Sequence, residues 1–448
     1  MKMMLDFVVA MGVLVLLCSV ILVSKYFSKH LTPEGARKII HVTMGCVALS
    51  LPFIINYRLT IVFLGIVAII LLLFLRIHKG LRLGVGTALL GIERKSLGDI
   101  YFVISIVIVF LLHKSTFEYI IPIAILTFAD SVAALVGINY GRYNMAQHDQ
   151  EAPKSREGSI MFFLVAFICA LVPLQLMTEI GRAEVLLISA LIGIVATGIE
   201  VISRHGNDNL LLPLLTYSIL RYNIYQSLET MLINTGIMLV LLLIVLVIYK
   251  VTNITSLSMT YSLLVAYLVM VLGGLIWMLP VLTLFLTFGI FPIMRAEEKQ
   301  MTQSYKVIEC NSIVGVICLY ISVFFPEYRE ILYISFSLSF SVHLVINTYS
   351  RLLNFMNKSI RISIIWGLIK SVVFIALPAL LVTKMNWITF VLYLTFMFLS
   401  IPFAVALNKK YDYKNVSDIT FNANKIMVGA LTAVFTVVLG IGGFYGLF

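Results

Sequence analysis

The feature that most constrains this chain is a succession of apolar runs, most of them close to the ~20 residues that span a bilayer as a helix, broken by short charged loops. In the first half they fall near 5–27, 39–55, 59–76, 99–113, 117–137, 159–177, 183–202 and 228–249. In the second half they fall near 256–272, 274–292, 307–325, 331–349, 362–382, 388–407 and 426–447. Lipid offers a backbone amide no partner, so such runs cross as helices that satisfy themselves. The alternation of a membrane β-barrel is absent. With 61% hydrophobic and only 12% charged residues, a soluble domain is excluded. The expected fold class is all-α: a polytopic integral membrane helical bundle of about 14–15 apolar segments.

The first run reads as a retained span. It lacks a small-residue cleavage site and is followed by Lys25 and Lys29. Cys18, Cys46, Cys169, Cys310 and Cys318 all lie in apolar runs and read as small hydrophobes, not as disulfides or metal ligands. The net charge of +11 fits cytoplasmic loops and anionic headgroups, with no nucleic acid implied.

Lys and Arg are biased between loops. Those after odd-numbered runs of the first half carry thirteen, from Lys29 to Arg221, against three (Arg58, Lys114 and Arg182) after even-numbered runs. The bias predicts a cytoplasmic face for the odd loops and an N-terminus outside. Loops near 293–306, 350–361 and 408–425 are likewise basic. Three runs separate Arg221 from Arg295, where two cytoplasmic loops require an even number. One segment in 208–292 is therefore re-entrant or misassigned.

Four segments on the basic face carry the candidate chemistry. GARKIIHVTMG (Gly35–Gly45) sets Arg37, Lys38 and His41 at helical spacing at the mouth of a run; the plain alternative is a snorkelling anchor. ERKSLGDIYF (Glu93–Phe102) offers Arg94 and Lys95 to phosphates, or simply obeys the positive-inside rule. The third joins FADSVAALVGINYGR (Phe128–Arg142) to KSREGS (Lys154–Ser159). Asp130 stands inside an apolar run, where a carboxylate costs about 3 kcal/mol or more. Asp130 and Glu157 are candidate Mg2+ ligands, while Lys154 and Arg142 are candidates to neutralise phosphates. Lys154 and Glu157 equally fit an i,i+3 helix pair. The fourth is EVISRHGNDNLLLP (Glu200–Pro213), in which Asp208 and Asn209 are either site residues or a helix N-cap. No Gly-Lys dipeptide, zinc-binding HExxH helix or Asp-Gly dipeptide occurs, which excludes a P-loop and the Asp-Gly signature of membrane phosphotransferases for alcohols activated by CDP.

Taken in order, ARKIIH, ERKSLGDIYF, ADSVAALVGINYGR, KSREGS and GNDNLLLP make residues 30–220 resemble the CTP-dependent lipid-alcohol kinases, the phytol, farnesol and dolichol kinase group. These are related to phosphatidate cytidylyltransferases. The resemblance implies transfer of the γ-phosphate of CTP to a lipid hydroxyl with Mg2+. It implies a catalytic core of Asp130, Lys154, Glu157 and Asp208, and nucleotide contacts from Arg94, Lys95, Arg142 and Lys154. Residues 256–350 more distantly resemble the phytyl-phosphate kinase family, through LGGLIWM (Leu272–Met278) and the Lys299/Lys306–Asn311 region. Where that family has ADTWASE, this chain has INTYSRL (Ile346–Leu352), so Asn347 replaces the acid.

The expected organisation is a lipid-alcohol-kinase-like membrane domain over 1–250 and a degenerate, non-catalytic membrane domain over 251–448. The lipid alcohol arrives from the bilayer and the nucleoside triphosphate from the cytoplasm. Two alternatives remain at this stage: a cytidylyltransferase forming a CDP-lipid, and a lipid transporter or flippase.

Overall fold

A helix satisfies its own backbone in lipid, and at a 1.5 Å rise per residue twenty-odd residues cross the hydrocarbon layer. The computed structural model describes residues 2–27, 33–77, 97–142, 154–203, 206–251, 256–285, 305–354, 356–383, 385 and 387–410. Among them no strand occurs, and seven helices are individually long and apolar enough to cross a membrane. The chain is an all-α polytopic membrane bundle. It divides into two compact units, Met1–Thr235 and Gly236–Phe448.

The first unit contains α1 (Lys2–Phe27), α2 (Pro33–Ile54), α3 (Arg58–Ile77), α4 (Gly98–Leu112), α5 (Thr116–Tyr140), α6 (Arg156–Met177), α7 (Arg182–Ile202) and α8 (Asp208–Asn223). The sequence of α6 shows how each helix chooses its faces. Phe162, Ala166, Ala170 and Leu174 recur every fourth residue and are fully buried. Ile160, Leu164, Ile168 and Val172, offset by two, form an exposed apolar stripe suited to lipid. Ala166 and Ala170 in the middle of the buried stripe are small, which lets neighbouring helices approach closely there.

α2 and α5 run antiparallel. The Tyr119 hydroxyl donates to the Ala48 carbonyl at 2.9 Å, and His41 Nε2 lies 3.0 Å from the Leu126 carbonyl. α5 is not uniform: a π turn, Ile125–Ala129, separates the α-helical stretches Thr116–Ala124 and Asp130–Tyr140. Pro122, which has no N–H, lies just before it. Gly45 of α2 is pressed against Thr127 in that turn, where a Cβ would collide with the threonine side chain. α5 and α6 cross closely at Gly137 and Gly158; a Cβ on Gly158 would stand 3.0 Å from the Ala133 carbonyl.

Each apolar run from 5–27 to 388–407 overlaps a helix, while 286–292 of the run 274–292 and the whole of the last run, 426–447, lie outside the described residues. α8 coincides with none. Asn209, Pro213, Thr216, Ser218 and Arg221 dilute its apolar content, yet it lies along α4 from end to end. The Asn209 amide donates to the Gly98 carbonyl at 2.8 Å and the Tyr217 hydroxyl to the Leu112 carbonyl at 2.7 Å. Its far end brings Arg221 to the buried Glu118, at 3.3 Å. This corrects one expectation: Arg221 stands with Lys114 at Glu118, by the α4–α5 turn, and not with the basic loops among which its sequence position placed it.

α9 (Leu228–Val251) carries the chain into the second unit. That unit contains α10 (Ser256–Leu268, ending in the π turn Val269–Gly273), α11 (Leu275–Phe285), α12 (Tyr305–Phe324), α13 (Arg329–Asn354), α14 (Ile360–Thr383, with a π turn at Val372–Ala376) and α15 (Trp387–Lys410). Between α10 and α11 the chain needs φ +85° at position 274, which glycine supplies without strain. α13 is the centre of the unit and is almost wholly buried. Its SFSLSFS stretch (Ser335–Ser341) alternates as a strand would, yet it is helical. The serines return their hydroxyls locally or to a neighbour: Ser335 to the Ile331 carbonyl, Ser337 to that of Ile334, and Ser341 against the Tyr393 hydroxyl at 2.6 Å. The phenylalanines between them pack on one another and on Trp277.

Candidate active site

The π turn of α5 delivers Asp130 to the start of its last α-helical stretch, facing the first turns of α2. Lys38 Nζ lies 2.5 Å from Asp130 Oδ2 and also donates to the Asp130 carbonyl at 3.3 Å. His41, one turn further along α2, stands 3.7 Å from the same carboxylate oxygen. The spacing of Lys38 and His41 puts both on the helix face that meets α5. Lys38 is 4% exposed, which excludes the snorkelling anchor as its role: its charge is committed to Asp130. Arg37 is within electrostatic reach of both Asp130 and His41.

A second pair forms where α6 begins and α7 ends. Ser155 is the N-cap of α6; its hydroxyl accepts from the Gly158 amide at 3.1 Å. Lys154 therefore precedes the helix and is free of its register. It reaches Glu200 Oε1 at 2.6 Å and also meets the Glu200 carbonyl. The expected i,i+3 pairing with Glu157 is replaced by this contact, because a residue before the N-cap does not share a helix face with N2. Glu157 stands in the first turn of α6 with Oε2 buried. Glu200 also lies within electrostatic reach of Asp130 and Asp208, so the two pairs belong to one charged cluster.

Asp208 opens α8, where a carboxylate is favoured by the helix dipole. Neither it nor Asn209 is the N-cap. That position is Asn207, without a side-chain cap, and the Asn209 amide is used on Gly98 instead. Arg142 is exposed at the end of α5 and makes no ion pair with a described residue. Arg94 and Lys95 lie outside the described residues, as does Lys299. In the second unit Asn347 is buried and its amide donates to Asn311 Oδ1 at 3.3 Å.

The structure thus joins Lys38, His41, Asp130, Lys154, Glu200 and Asp208, contributed by five helices or their ends and separated by up to 170 residues in sequence. Sequence reasoning missed the Arg76–Asp99 ion pair beside this face, although Asp99 stands within ERKSLGDIYF. It also missed the π turn, which has no residue signature beyond Pro122.

The chain is 29% identical over 190 residues, 40% of its own length and 76% of the relative's, to a protein of Synechocystis sp. named phytol kinase. That likeness supports the family resemblance carried by the motifs. No family model matches the chain, and no solved structure matches it.

A divalent cation is implied by the resemblance. Among the described residues no group of three His, Cys, Asp or Glu side chains forms a preformed cage. The cluster nevertheless has the donor chemistry that Mg2+ uses with nucleotides: one or two carboxylates, the remaining positions being phosphate oxygens and water. The cations Lys38 and Lys154, set among the acids, keep the site near neutrality before any phosphate arrives.

Proposed function

We propose that the first unit is a membrane lipid-alcohol kinase that transfers the γ-phosphate of a nucleoside triphosphate, CTP by resemblance, to the hydroxyl of an isoprenoid-type alcohol. The observation that carries this reading is the convergence of Lys38–Asp130 and Lys154–Glu200 on one charged cluster within an integral membrane bundle. The likeness to a protein named phytol kinase supports the lipid-kinase class. The lipid-facing stripe of α6 beside this cluster supports delivery of the alcohol from the bilayer.

Phosphoryl transfer asks a protein mainly for positioning and charge stabilisation, with no protein nucleophile. In this reading the lipid hydroxyl oxygen attacks the γ-phosphorus and the bridging oxygen leaves on the nucleoside diphosphate. Asp208, which has no lysine at bonding distance among the described residues, takes the hydroxyl proton. Lys154 and Arg142 stabilise charge on the transferring phosphoryl group. Asp130, with Glu157 or Glu200, would hold Mg2+, which supplies charge neutralisation between the phosphates. Lys38 and His41 hold the Asp130 carboxylate in place. The bias of Lys and Arg between loops supports a cytoplasmic face for the cluster, with the N-terminus outside.

The test is purified full-length protein offered labelled CTP and ATP in competition with a panel of isoprenoid alcohols and diacylglycerol, with and without excess EDTA. The reading expects lipid monophosphate and CDP, a preference for CTP, and loss of turnover in EDTA. Pyrophosphate with a CDP-lipid would instead identify a cytidylyltransferase. Full activity in EDTA would remove the metal from the account.

A further inference from the structure

Asn209 stands beside the acid that takes the hydroxyl proton, yet the chemistry gives it no role. Asp208 and Asn209 are the first two residues of α8, and the chain enters that helix through Gly206 at φ +84°. The N-cap, Asn207, contributes no side-chain cap. The backbone closes the first turn by itself: Asn209 N donates to the Gly206 carbonyl at 3.2 Å, and Leu211 N to that of Asn207 at 2.9 Å. The Asn209 side chain serves another helix instead. Its amide crosses to α4 and donates to the Gly98 carbonyl at 2.8 Å.

The point it reaches is itself held. Gly98 opens α4, and the next residue, Asp99, meets Arg76 from the last turn of α3. Arg76 Nε lies 3.3 Å from Asp99 Oδ2, and a second nitrogen of the same guanidinium reaches Oδ1. A two-pronged guanidinium–carboxylate pair fixes orientation as well as distance. Arg76 on one side and Asn209 on the other therefore brace the start of α4 between α3 and α8.

α8 is tied to α4 a second time, further along, where the Tyr217 hydroxyl donates to the Leu112 carbonyl at 2.7 Å. The two ties are alike in kind and length. Only the first adjoins an acid of the cluster: Asp208 precedes Asn209 by one residue and lies within electrostatic reach of Glu200. We propose, on the kinase reading given above, that Asn209 is a positioning residue whose bond to Gly98 sets where the Asp208 carboxylate stands when it takes the proton of the lipid hydroxyl. In this role Asn209 meets neither phosphate nor lipid, so losing its bond displaces the base without removing a substrate contact.

The test is steady-state kinetics of the full-length chain with CTP and farnesol, normalised to folded protein, together with thermal melting. Asn209→Ala is expected to lower kcat by roughly tenfold to a hundredfold, the cost of misplacing a reacting group by about an ångström, with KM for CTP unchanged. Asn209→Gln keeps the amide donor on a longer stem; it should recover part of kcat, and it serves if the alanine variant folds poorly. Tyr217→Phe, which cuts the other tie, should lower the melting temperature and leave kcat unchanged. In an Asp208→Asn background, adding Asn209→Ala should take nothing further from the residual kcat, because a residue that acts through another is not additive with it. Wild-type kcat in Asn209→Ala, an equal loss in Tyr217→Phe, or an undiminished further loss in the Asp208→Asn background overturns the proposal while the kinase reading stands. A wild-type protein that forms no lipid monophosphate overturns both.

Discussion

At the scale of single residues, Asp130 serves two purposes that one substitution confounds. Removing it takes away a carboxylate from the cluster and strands Lys38, which is 4% exposed. Breaking a buried pair from one side costs about 3–5 kcal/mol. Asp130→Asn is therefore expected to abolish turnover and also to lower thermal stability. Lys38→Met combined with Asp130→Leu removes both charges and should recover most of the lost stability while remaining inactive. A double variant with substantial activity would make the pair purely structural. Lys154→Ala should lower turnover by roughly a hundredfold, the scale of one lost charge stabiliser, measured as specific activity of folded protein. A loss confined to yield would return Lys154 to an anchoring role. Asp130 was legible in the sequence because a lone acid in an apolar run has few inexpensive explanations. Its partner was not, because Lys38 is 92 positions away and reads locally as a basic anchor. Lys154 was read with Glu157 for the same reason, since Glu200 is 46 positions distant.

At the scale of elements, helix existence followed from apolar length, and α8 marks the limit of that signal. Its polar residues are spent inside the protein, on Gly98, Leu112 and Glu118, so it is expected to cross without looking like a span. The π turn of α5 was equally hidden, because Asp130 is placed by a backbone register shift and not by a residue motif. In a cysteine-free background, Asn207→Cys and Tyr225→Cys should label with a membrane-impermeant maleimide from opposite sides. Labelling of both from one side would show that α8 does not cross. The close crossing of α5 and α6 makes its own prediction. Gly158→Val should reduce thermal stability by about 1–3 kcal/mol, the cost of overpacking a tight contact, because its side chain would meet the Ala133 backbone. An unchanged melting temperature would show that the helices have room to part.

At the scale of the whole molecule, the chain forms two compact units whose buried polar groups differ. The first gathers acids and lysines from five helices. The second buries an amide pair, Asn311–Asn347, and its stretch 331–382 contains no carboxylate. An amide is a poor replacement for a carboxylate on Mg2+. The full chain carrying Asp130→Asn is accordingly expected not to convert a lipid monophosphate to a diphosphate; formation of diphosphate would reveal a second active centre. The membrane class was legible from apolar runs, and the order of five motifs carried the family resemblance. The charge pairing within the cluster depends on helix packing across long sequence separations, which no local pattern records. The central claim is that the cluster around Asp130 transfers a terminal phosphate to lipid. The most direct measurement follows the label from γ-phosphate-labelled CTP, presented with phytol or farnesol to wild-type protein and to Asp130→Asn. The account predicts label in lipid monophosphate with wild type and none with the variant. Label appearing in pyrophosphate, or reaching lipid equally with both proteins, would contradict it.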